Sequence, residues 1–211
     1  MSAVATWYFD VISPYVYLQL ADLDRLPPGI TVAPKPVLFA GLLGHWGNKG
    51  PAEIAAKRIH TYRQCAWLAQ ARGIPFRMPP AHPFNPLAAL RLLCALGPTI
   101  EQARIACDFV FGQGNDPSNP EGLRALARAL GADNPEALTT ADATKAKLRA
   151  NTDEALARGV WGVPTFDVGG QLFWGADSFS MMLGFLANPH IFDTAEMRRI
   201  ETLPTGATRS L

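Results

Sequence analysis

Ser13 and Pro14 stand where the sequence predicts the start of a helix that could hold an anion. Serine supplies an N-cap oxygen, and proline is tolerated at the first helical position. The unpaired N–H groups of a helix N-terminus favour an anion, and such a site can lower the pKa of a thiol from its usual value of about 8.5. The Ser13 hydroxyl can add a hydrogen bond to a thiolate. A plain helix cap is the alternative interpretation, and Ser-Pro by itself does not decide between them.

Val163-Pro164-Thr165 forms a second candidate feature, far downstream. We predict a cis peptide bond between Val163 and Pro164. That geometry would turn the backbone N–H and C=O groups of Val163 toward the Ser13 site, where they could pair with an extended peptide as in β-strand addition. An ordinary proline at the start of a strand is the alternative.

A β-α-β pattern surrounds Ser13. Residues 4–9 are apolar and aromatic, as in a buried strand. We expect a helix over 15–26, ended by Pro27-Pro28-Gly29, and a strand over 30–37 whose prolines place it at a sheet edge. A right-handed crossover would make the two strands parallel.

The middle of the chain has a helical pattern, and the β pattern returns after it. Helices are predicted at about 51–72, 85–96, 98–111, 120–130 and 141–158. Two short strands, 165–168 and 171–174, flank Gly169-Gly170 and predict a hairpin with a primed turn, and a helix over about 177–186 follows. We therefore expect a discontinuous α/β domain (1–39 and 159–200), a helical insertion (40–158) and a tail (201–211).

The composition narrows the function classes. The chain has 211 residues, 48% hydrophobic, with a net charge of +1, which gives no basic surface for nucleic acid or an anionic membrane. No apolar run approaches the ~20 residues that span a bilayer, and the N-terminus lacks the features of a signal peptide. The three cysteines, Cys65, Cys94 and Cys107, form no C-x-x-C pair. We expect buried thiols in a reducing cytoplasm and no metal site.

Five sequence blocks together carry a family resemblance over about residues 4–187. They are Phe9-Asp10-x-x-Ser13-Pro14-Tyr15-x-Tyr17-Leu18, Gly47-Asn48-Lys49-Gly50-Pro51, Gly73-Ile74-Pro75-Phe76, Val160-Trp161-Gly162-Val163-Pro164-Thr165-Phe166 and Phe173-Trp174-Gly175-Ala176-Asp177. In this order they resemble the 2-hydroxychromene-2-carboxylate isomerases, which belong with the kappa-class glutathione transferases in the DsbA-like branch of the thioredoxin fold. The resemblance implies an α/β, thioredoxin-like fold with a large all-helical insertion. Ser13 stands where redox members keep a nucleophilic cysteine, so the thiol would come from glutathione.

The resemblance also implies a role for individual residues. The catalytic Ser13 would contact the glutathione sulfur, and the backbone of Val163, fixed by Pro164, would pair with the cysteinyl part. The other implied glutathione contacts are Asn48, which could also touch substrate, Lys57 at the glycyl carboxylate, and Asp177 with the backbone near Ala176 at the γ-glutamyl end. A solvated lysine at Lys57 and a helix cap at Asp177 are the alternatives. After Asp177 the family often has arginine, but here Ser178-Phe179 follow.

The implied reaction is the interconversion of 2-hydroxychromene-2-carboxylate and trans-o-hydroxybenzylidenepyruvate, or of a close aromatic analogue. A thiolate adds to a conjugated carbon, the bond rotates, and elimination returns the thiol. The implied partners are an aromatic α-keto or hydroxy acid and a second copy of the chain in a homodimer. Candidate pocket residues are Tyr15, Trp46, Phe84 and Trp161, with core packing as the alternative for each.

Three other functions stay open at this point. A kappa-like glutathione transferase would share the thiolate but release the conjugate. A non-catalytic glutathione- or peptide-binding module would keep the fold without the chemistry. A thiol–disulfide oxidoreductase is disfavoured because the active-site cysteine is missing.

Overall fold

The computed structural model describes residues 3–207, and its centre is a four-stranded sheet. The strands are β1 (Ala3–Phe9), β2 (Ile30–Pro36), β3 (Thr165–Val168) and β4 (Gln171–Trp174), in the order β2-β1-β3-β4. β2 is an edge strand parallel to β1, and β3 is antiparallel to both β1 and β4. Gly169 and Gly170 join β3 to β4 with φ of 60° and 89°, as a primed turn requires. The predicted strands, edge position and hairpin are confirmed.

The helices of the described residues fall before, between and after these strands. They are α1 (Pro14–Leu20), α2 (Phe39–Trp46), α3 (Ala55–Ala71), α4 (Leu87–Leu96), α5 (Ile100–Cys107), α6 (Pro120–Ala129), α7 (Pro135–Thr140), α8 (Asp142–Ala157), α9 (Phe179–Ala187) and α10 (Ala195–Glu201). Regular structure between β2 and β3 is therefore all helical, as predicted. None of these helices is long and apolar enough to cross a bilayer.

Helix α1 is shorter than predicted, because it ends at Leu20 rather than near residue 26. The Asp22 N–H donates to the Gln19 carbonyl, which tightens the last turn, and a 3-10 turn follows over Leu23–Arg25. The Asp22 carboxylate also pairs at 2.8 Å with Arg72, the residue after α3, a contact that no local pattern reveals. Three helices were not predicted at all, namely α2, α7 and α10.

One hydrophobic core joins the sheet to the helical segment. Trp7 stacks on Phe9 with ring centroids 4.7 Å apart and packs near Phe166 from β3. The same buried cluster continues into the helices through residues such as Leu90 and Val110. The two parts thus share packing, and the boundaries of 1–39, 40–158 and 159–200 stay a prediction.

Candidate active site

A cavity of about 820 Å³ opens between the Ser13 turn, α2 and the segment before β3. Six residues predicted for the site or its pocket line it: Ser13, Tyr15, Asn48, Phe84, Trp161 and Val163. The rest of the wall is mostly apolar and includes Leu38, Phe39, Ala40, Leu43, Pro86, Leu87 and Trp174. The volume lies within the range of about 300–1,000 Å³ that small-molecule sites occupy.

Ser13 presents a hydroxyl that its own helix does not use. The residue is the N-cap of α1 and is 7% exposed, but its side chain makes no capping hydrogen bond. Only its backbone carbonyl is engaged with the helix, by the N–H of Val16 at 3.1 Å. The capping interpretation of Ser13 therefore has no support in the geometry, and the hydroxyl remains available to a ligand in the cavity.

Val163 carries two backbone groups without a protein partner. The Val163–Pro164 peptide bond is cis, as predicted. Neither the N–H nor the C=O of Val163 forms a hydrogen bond with another described residue, although Val163 is buried. Buried backbone polar groups are almost always paired. These two groups, at the cavity wall, are suited to an extended ligand backbone.

The loop after α2 brings Asn48 and Lys49 to the cavity. Gly47 ends the helix with φ of 64°, and the Asn48 N–H donates to the Leu43 carbonyl at 2.9 Å. Beyond them, the Gly50 N–H donates to the Glu53 carboxylate at 2.6 Å, which closes the loop. The side chains of Asn48 and Lys49 make no hydrogen bond or ion pair with other residues of 3–207, so both can reach a ligand.

Asp177 and Ala176 lie outside the cavity lining, in a turn that packs against α1. They belong to a 3-10 turn, Ala176–Ser178, and the residue before α9 is Ser178 rather than Asp177. Burial is the main cause that raises the pKa of Tyr15 to about 12, and the neighbouring Cys65 thiol and Asp177 carboxylate add to the shift. The helix-cap alternative for Asp177 is not realised.

Gln19 ties this turn to α1. The side chain is fully buried, accepts the indole N–H of Trp7 at 2.7 Å and donates to the Gly175 carbonyl at 3.2 Å. The Gly175 N–H in turn donates to the Pro164 carbonyl at 2.8 Å. Hydrogen bonds through Gly175 therefore link the Ser13 helix, the Pro164 segment and the Asp177 turn.

Lys57 and Trp46 are not brought to the cavity. Lys57 is exposed on α3, whose buried residues are Cys65 and Ala69. Trp46 is 45% exposed and donates its indole N–H to the Val160 carbonyl at 3.0 Å. Neither Lys57, Trp46 nor Pro164 lines the cavity.

Two aromatic side chains form part of the cavity rim. Trp161 and Trp174 have ring centroids 5.9 Å apart and are 41% and 50% exposed. Gly162 packs so closely beneath Trp174 that a Cβ at this position would collide with the indole. The sequence predicts a pocket role for Trp161 and none for Trp174.

Asp10 and His82 line the cavity and were given no role by the sequence analysis. Asp10 is fully buried, and its carboxylate accepts the N–H groups of Ile12 at 3.0 Å and Phe39 at 2.9 Å. Burial raises the pKa of Asp10 to about 7, although the two accepted hydrogen bonds oppose the shift. Burial lowers the pKa of His82. An acidic residue directly after a buried strand was a usable signal for Asp10, whereas nothing local marks His82.

Replacing Asp10 by asparagine is expected to change the pH dependence of stability. Folding raises the pKa of Asp10 from 3.8 to about 7, so protonation of this carboxyl stabilises the folded state. This stabilisation is complete below pH 4 and is lost as the pH rises to about 7, a change of roughly 4 kcal/mol. Denaturant unfolding of native protein and Asp10→Asn across this range should show the native protein losing stability relative to the variant as pH rises. A constant difference would contradict the prediction.

The three thiols of the chain are not part of the cavity lining, although Cys65 lies against Tyr15 of the wall. Cys65, Cys94 and Cys107 are free and buried, and none of them lines it. Burial raises the pKa of each thiol, to about 12 for Cys65 and about 11 for Cys94. Residues 3–207 also contain no cluster of His, Cys, Asp or Glu side chains that could hold a metal ion.

Comparison with known proteins places this arrangement in a family. The DsbA-like thioredoxin domain matches residues 5–187, most of the chain. The chain belongs to this DsbA-like family. Membership accounts for the thioredoxin-like sheet and the helical segment inserted into it.

Relatives of this DsbA-like chain are named either as kappa-class glutathione transferases or as 2-hydroxychromene-2-carboxylate isomerases. "Glutathione s-transferase kappa 2" of Caenorhabditis elegans is 28% identical over 88% of this chain and 92% of the relative. A "2-hydroxychromene-2-carboxylate isomerase" of Sphingobium xenophagum is also 28% identical, over 88% of this chain and 99% of the relative. The solved structure of a 2-hydroxychromene-2-carboxylate isomerase matches with a TM-score of 0.74 at 23% identity, over 91% of this chain and 100% of that one. That structure supports the fold.

Proposed function

We propose that this protein is a glutathione-dependent isomerase that interconverts 2-hydroxychromene-2-carboxylate and trans-o-hydroxybenzylidenepyruvate, or a close aromatic analogue. The observation that carries the proposal is the free Ser13 hydroxyl, which lines a largely apolar cavity that none of the protein's own thiols reaches. A thiol used there must come from a ligand. The isomerase from Sphingobium xenophagum, 28% identical, supports the same reaction.

Several residues at or near the cavity have polar groups that could bind the separate parts of glutathione. The Ser13 hydroxyl is a donor for a thiolate, and the unpaired N–H and C=O of Val163 match the two groups of a cysteinyl backbone. Asn48 has a free side-chain amide at the cavity. Asp177 and the backbone near Ala176 lie in a turn packed against α1, from which they would meet the γ-glutamyl amine and carboxylate. Lys57 would contact the glycyl carboxylate only where the ligand extends past the cavity lining.

When bound, glutathione supplies a thiol nucleophile that is regenerated by the end of the reaction, so no net redox change occurs. The chain's contribution is electrostatic and geometric. Ser13 stabilises negative charge on sulfur, Val163 fixes the ligand backbone, and the apolar wall around Phe39 and Phe84 excludes water and orients an aryl group. Tyr15 and Trp161, also in the wall, would contact the same group.

We propose a homodimer acting in a reducing cytoplasm on an aromatic α-keto or hydroxy acid. The three cysteines are free and buried, which suits such a compartment. The relatives named as isomerases support the aromatic substrate.

The Caenorhabditis elegans relative supports a second candidate, a kappa-like glutathione transferase. Such an enzyme would use the same Ser13 and Val163 groups but would release the conjugate. The two candidates therefore differ in whether glutathione is consumed.

The proposal is tested by comparing glutathione with S-methylglutathione. Dialysed protein is expected to convert 2-hydroxychromene-2-carboxylate only after glutathione is added. S-methylglutathione should inhibit competitively and support no turnover, because it retains the backbone that Val163 recognises and lacks the nucleophile. Equal conversion with glutathione and S-methylglutathione would contradict the proposal, and so would conversion with no peptide added.

Replacing Cys65, Cys94 and Cys107 together by alanine is expected to leave glutathione-dependent turnover within about twofold of native. Each loss of a buried thiol should lower the free energy of unfolding by about 1 kcal/mol. Steady-state kinetics and denaturant unfolding check the two parts separately. A folded triple variant without turnover would show that the protein supplies its own thiol.

A further inference from the structure

Ile12, the residue before Ser13, is held from both sides by buried or half-buried side chains. Its N–H donates to the Asp10 carboxylate at 3.0 Å, and its carbonyl lies 2.7 Å from Nε2 of His82. A carbonyl oxygen can only accept, so the proton of the neutral His82 ring sits on Nε2. Both backbone groups of Ile12 are therefore used, and neither bond belongs to helix α1.

Each of the two side chains is itself fastened to another element. The second oxygen of Asp10 accepts the N–H of Phe39, the first residue of α2, at 2.9 Å. Nδ1 of His82 lies 2.7 Å from the hydroxyl of Tyr62, on α3. The N–H of Ser13 adds a third bond, to the backbone carbonyl of Asp10 at 3.1 Å. These hydrogen bonds therefore fix the position of the Ser13 main chain relative to α2 and α3.

His82 has no nitrogen left for acid–base chemistry, although it lines the cavity. Nε2 bonds to the Ile12 carbonyl, and Nδ1 faces the Tyr62 hydroxyl, which also lies 2.8 Å from the His82 carbonyl. The ring also packs edge-on against Phe84 and Phe111. The side chain is therefore suited to holding a position, not to exchanging protons with a substrate.

We propose that Asp10 and His82 are positioning residues that clamp Ile12 and thereby fix where Ser13 places its hydroxyl. We call this arrangement the Ile12 clamp. Its kinetic consequence rests on the proposed function, because a hydrogen bond to a catalytic anion is sensitive to displacements of well under 1 Å. Loosening the clamp should weaken thiolate stabilisation without removing a group that touches the ligand.

The test compares His82→Gln with His82→Asn. The amide nitrogen of glutamine can reach the position of Nε2 and keep the bond to Ile12, whereas that of asparagine reaches only the position of Nδ1. The asparagine variant is expected to lower kcat about tenfold and to raise the pKa of bound glutathione by about one unit, read from thiolate absorbance against pH. The KM for glutathione should change less than kcat. The glutamine variant should stay within about threefold of native kcat.

Amide hydrogen exchange provides a readout that does not need glutathione. In the ligand-free protein, the Ile12 and Ser13 amides should exchange about tenfold faster in His82→Asn than in native protein or His82→Gln. Native exchange rates in a folded asparagine variant would overturn the clamp, whatever the protein catalyses. Faster exchange with unchanged kcat and thiol pKa would overturn its link to Ser13. If native protein shows no glutathione-dependent turnover, the proposed function fails while exchange still decides the clamp.

Asp10→Asn gives a second variant if His82→Asn does not fold. An amide has one acceptor oxygen, so it cannot serve both Ile12 and Phe39. Exchange at Ile12 or Phe39 should therefore rise about tenfold. Only exchange is read in this variant, because removing a carboxylate would by itself favour a thiolate. Unchanged exchange at both amides would overturn the clamp.

Discussion

Replacing Ser13 by alanine is expected to lower glutathione-dependent turnover at least about tenfold and to leave the fold intact. A single donor to a catalytic anion contributes about 2–4 kcal/mol, and the Ser13 hydroxyl is such a donor in the proposed site. The Tyr15 N–H, which forms no hydrogen bond with another residue of 3–207, would still serve the thiolate, which limits the loss. Steady-state kinetics with saturating glutathione measure the effect.

Stability separates this role of Ser13 from a capping role. A serine that caps a helix costs about 1 kcal/mol when replaced by alanine. The Ser13 hydroxyl makes no capping bond, so the free energy of unfolding should change by less than that. Ser118→Ala, in an exposed turn that does not line the cavity, serves as the control. Native kinetics in folded Ser13→Ala would remove the basis of the proposed function.

Replacing Gln19 by leucine is expected to cost both stability and glutathione affinity. Leucine leaves the indole N–H of Trp7 without a partner in the core, which costs about 1–3 kcal/mol. It also removes the bond to the Gly175 carbonyl, so the turn that carries Asp177 loses its tie to α1. Denaturant unfolding and calorimetric titration with glutathione should show the two losses.

A double variant distinguishes the two effects of Gln19. Adding Trp7→Phe to Gln19→Leu removes the unpaired donor, so the double variant should lose less stability than the sum of the two single variants. The weakened glutathione affinity should persist, because the Gly175 carbonyl is still untied. Recovery of affinity in the double variant would show that Gln19 acts on the core and not on the Asp177 turn.

The sheet was predictable because its signals are local. The aromatic run of β1, the prolines of β2 and Gly169-Gly170 each specify strand or turn geometry within a few residues. Helix α2 was missed because Gly41 and Gly44 lower its helix propensity. Gly41 approaches Thr152 of α8 so closely that a Cβ would lie 3.3 Å from its methyl group. That glycine reflects helix packing, which a local pattern does not contain.

Site residues that belong to a sequence motif were predictable, whereas residues brought to the site only by the fold were not. Ser13, Asn48 and Val163 came from motifs, and all three line the cavity. Lys57 came from the family resemblance, which matches a basic position, but its exposed side chain on α3 does not line the cavity. His82 gains its contacts from Tyr62 and Ile12, which lie in separate parts of the chain. No sequence pattern brings those three residues together.

Free thiol measured before and after conversion of 2-hydroxychromene-2-carboxylate tests the central claim most directly. The protein should be dialysed, supplied with glutathione at a small fraction of the substrate concentration, and followed until the benzylidenepyruvate product forms. An isomerase is expected to complete many turnovers per glutathione and to leave the free thiol unchanged, because elimination returns the thiol in each cycle. Loss of one thiol per product, or conversion without any glutathione, would contradict the proposed function.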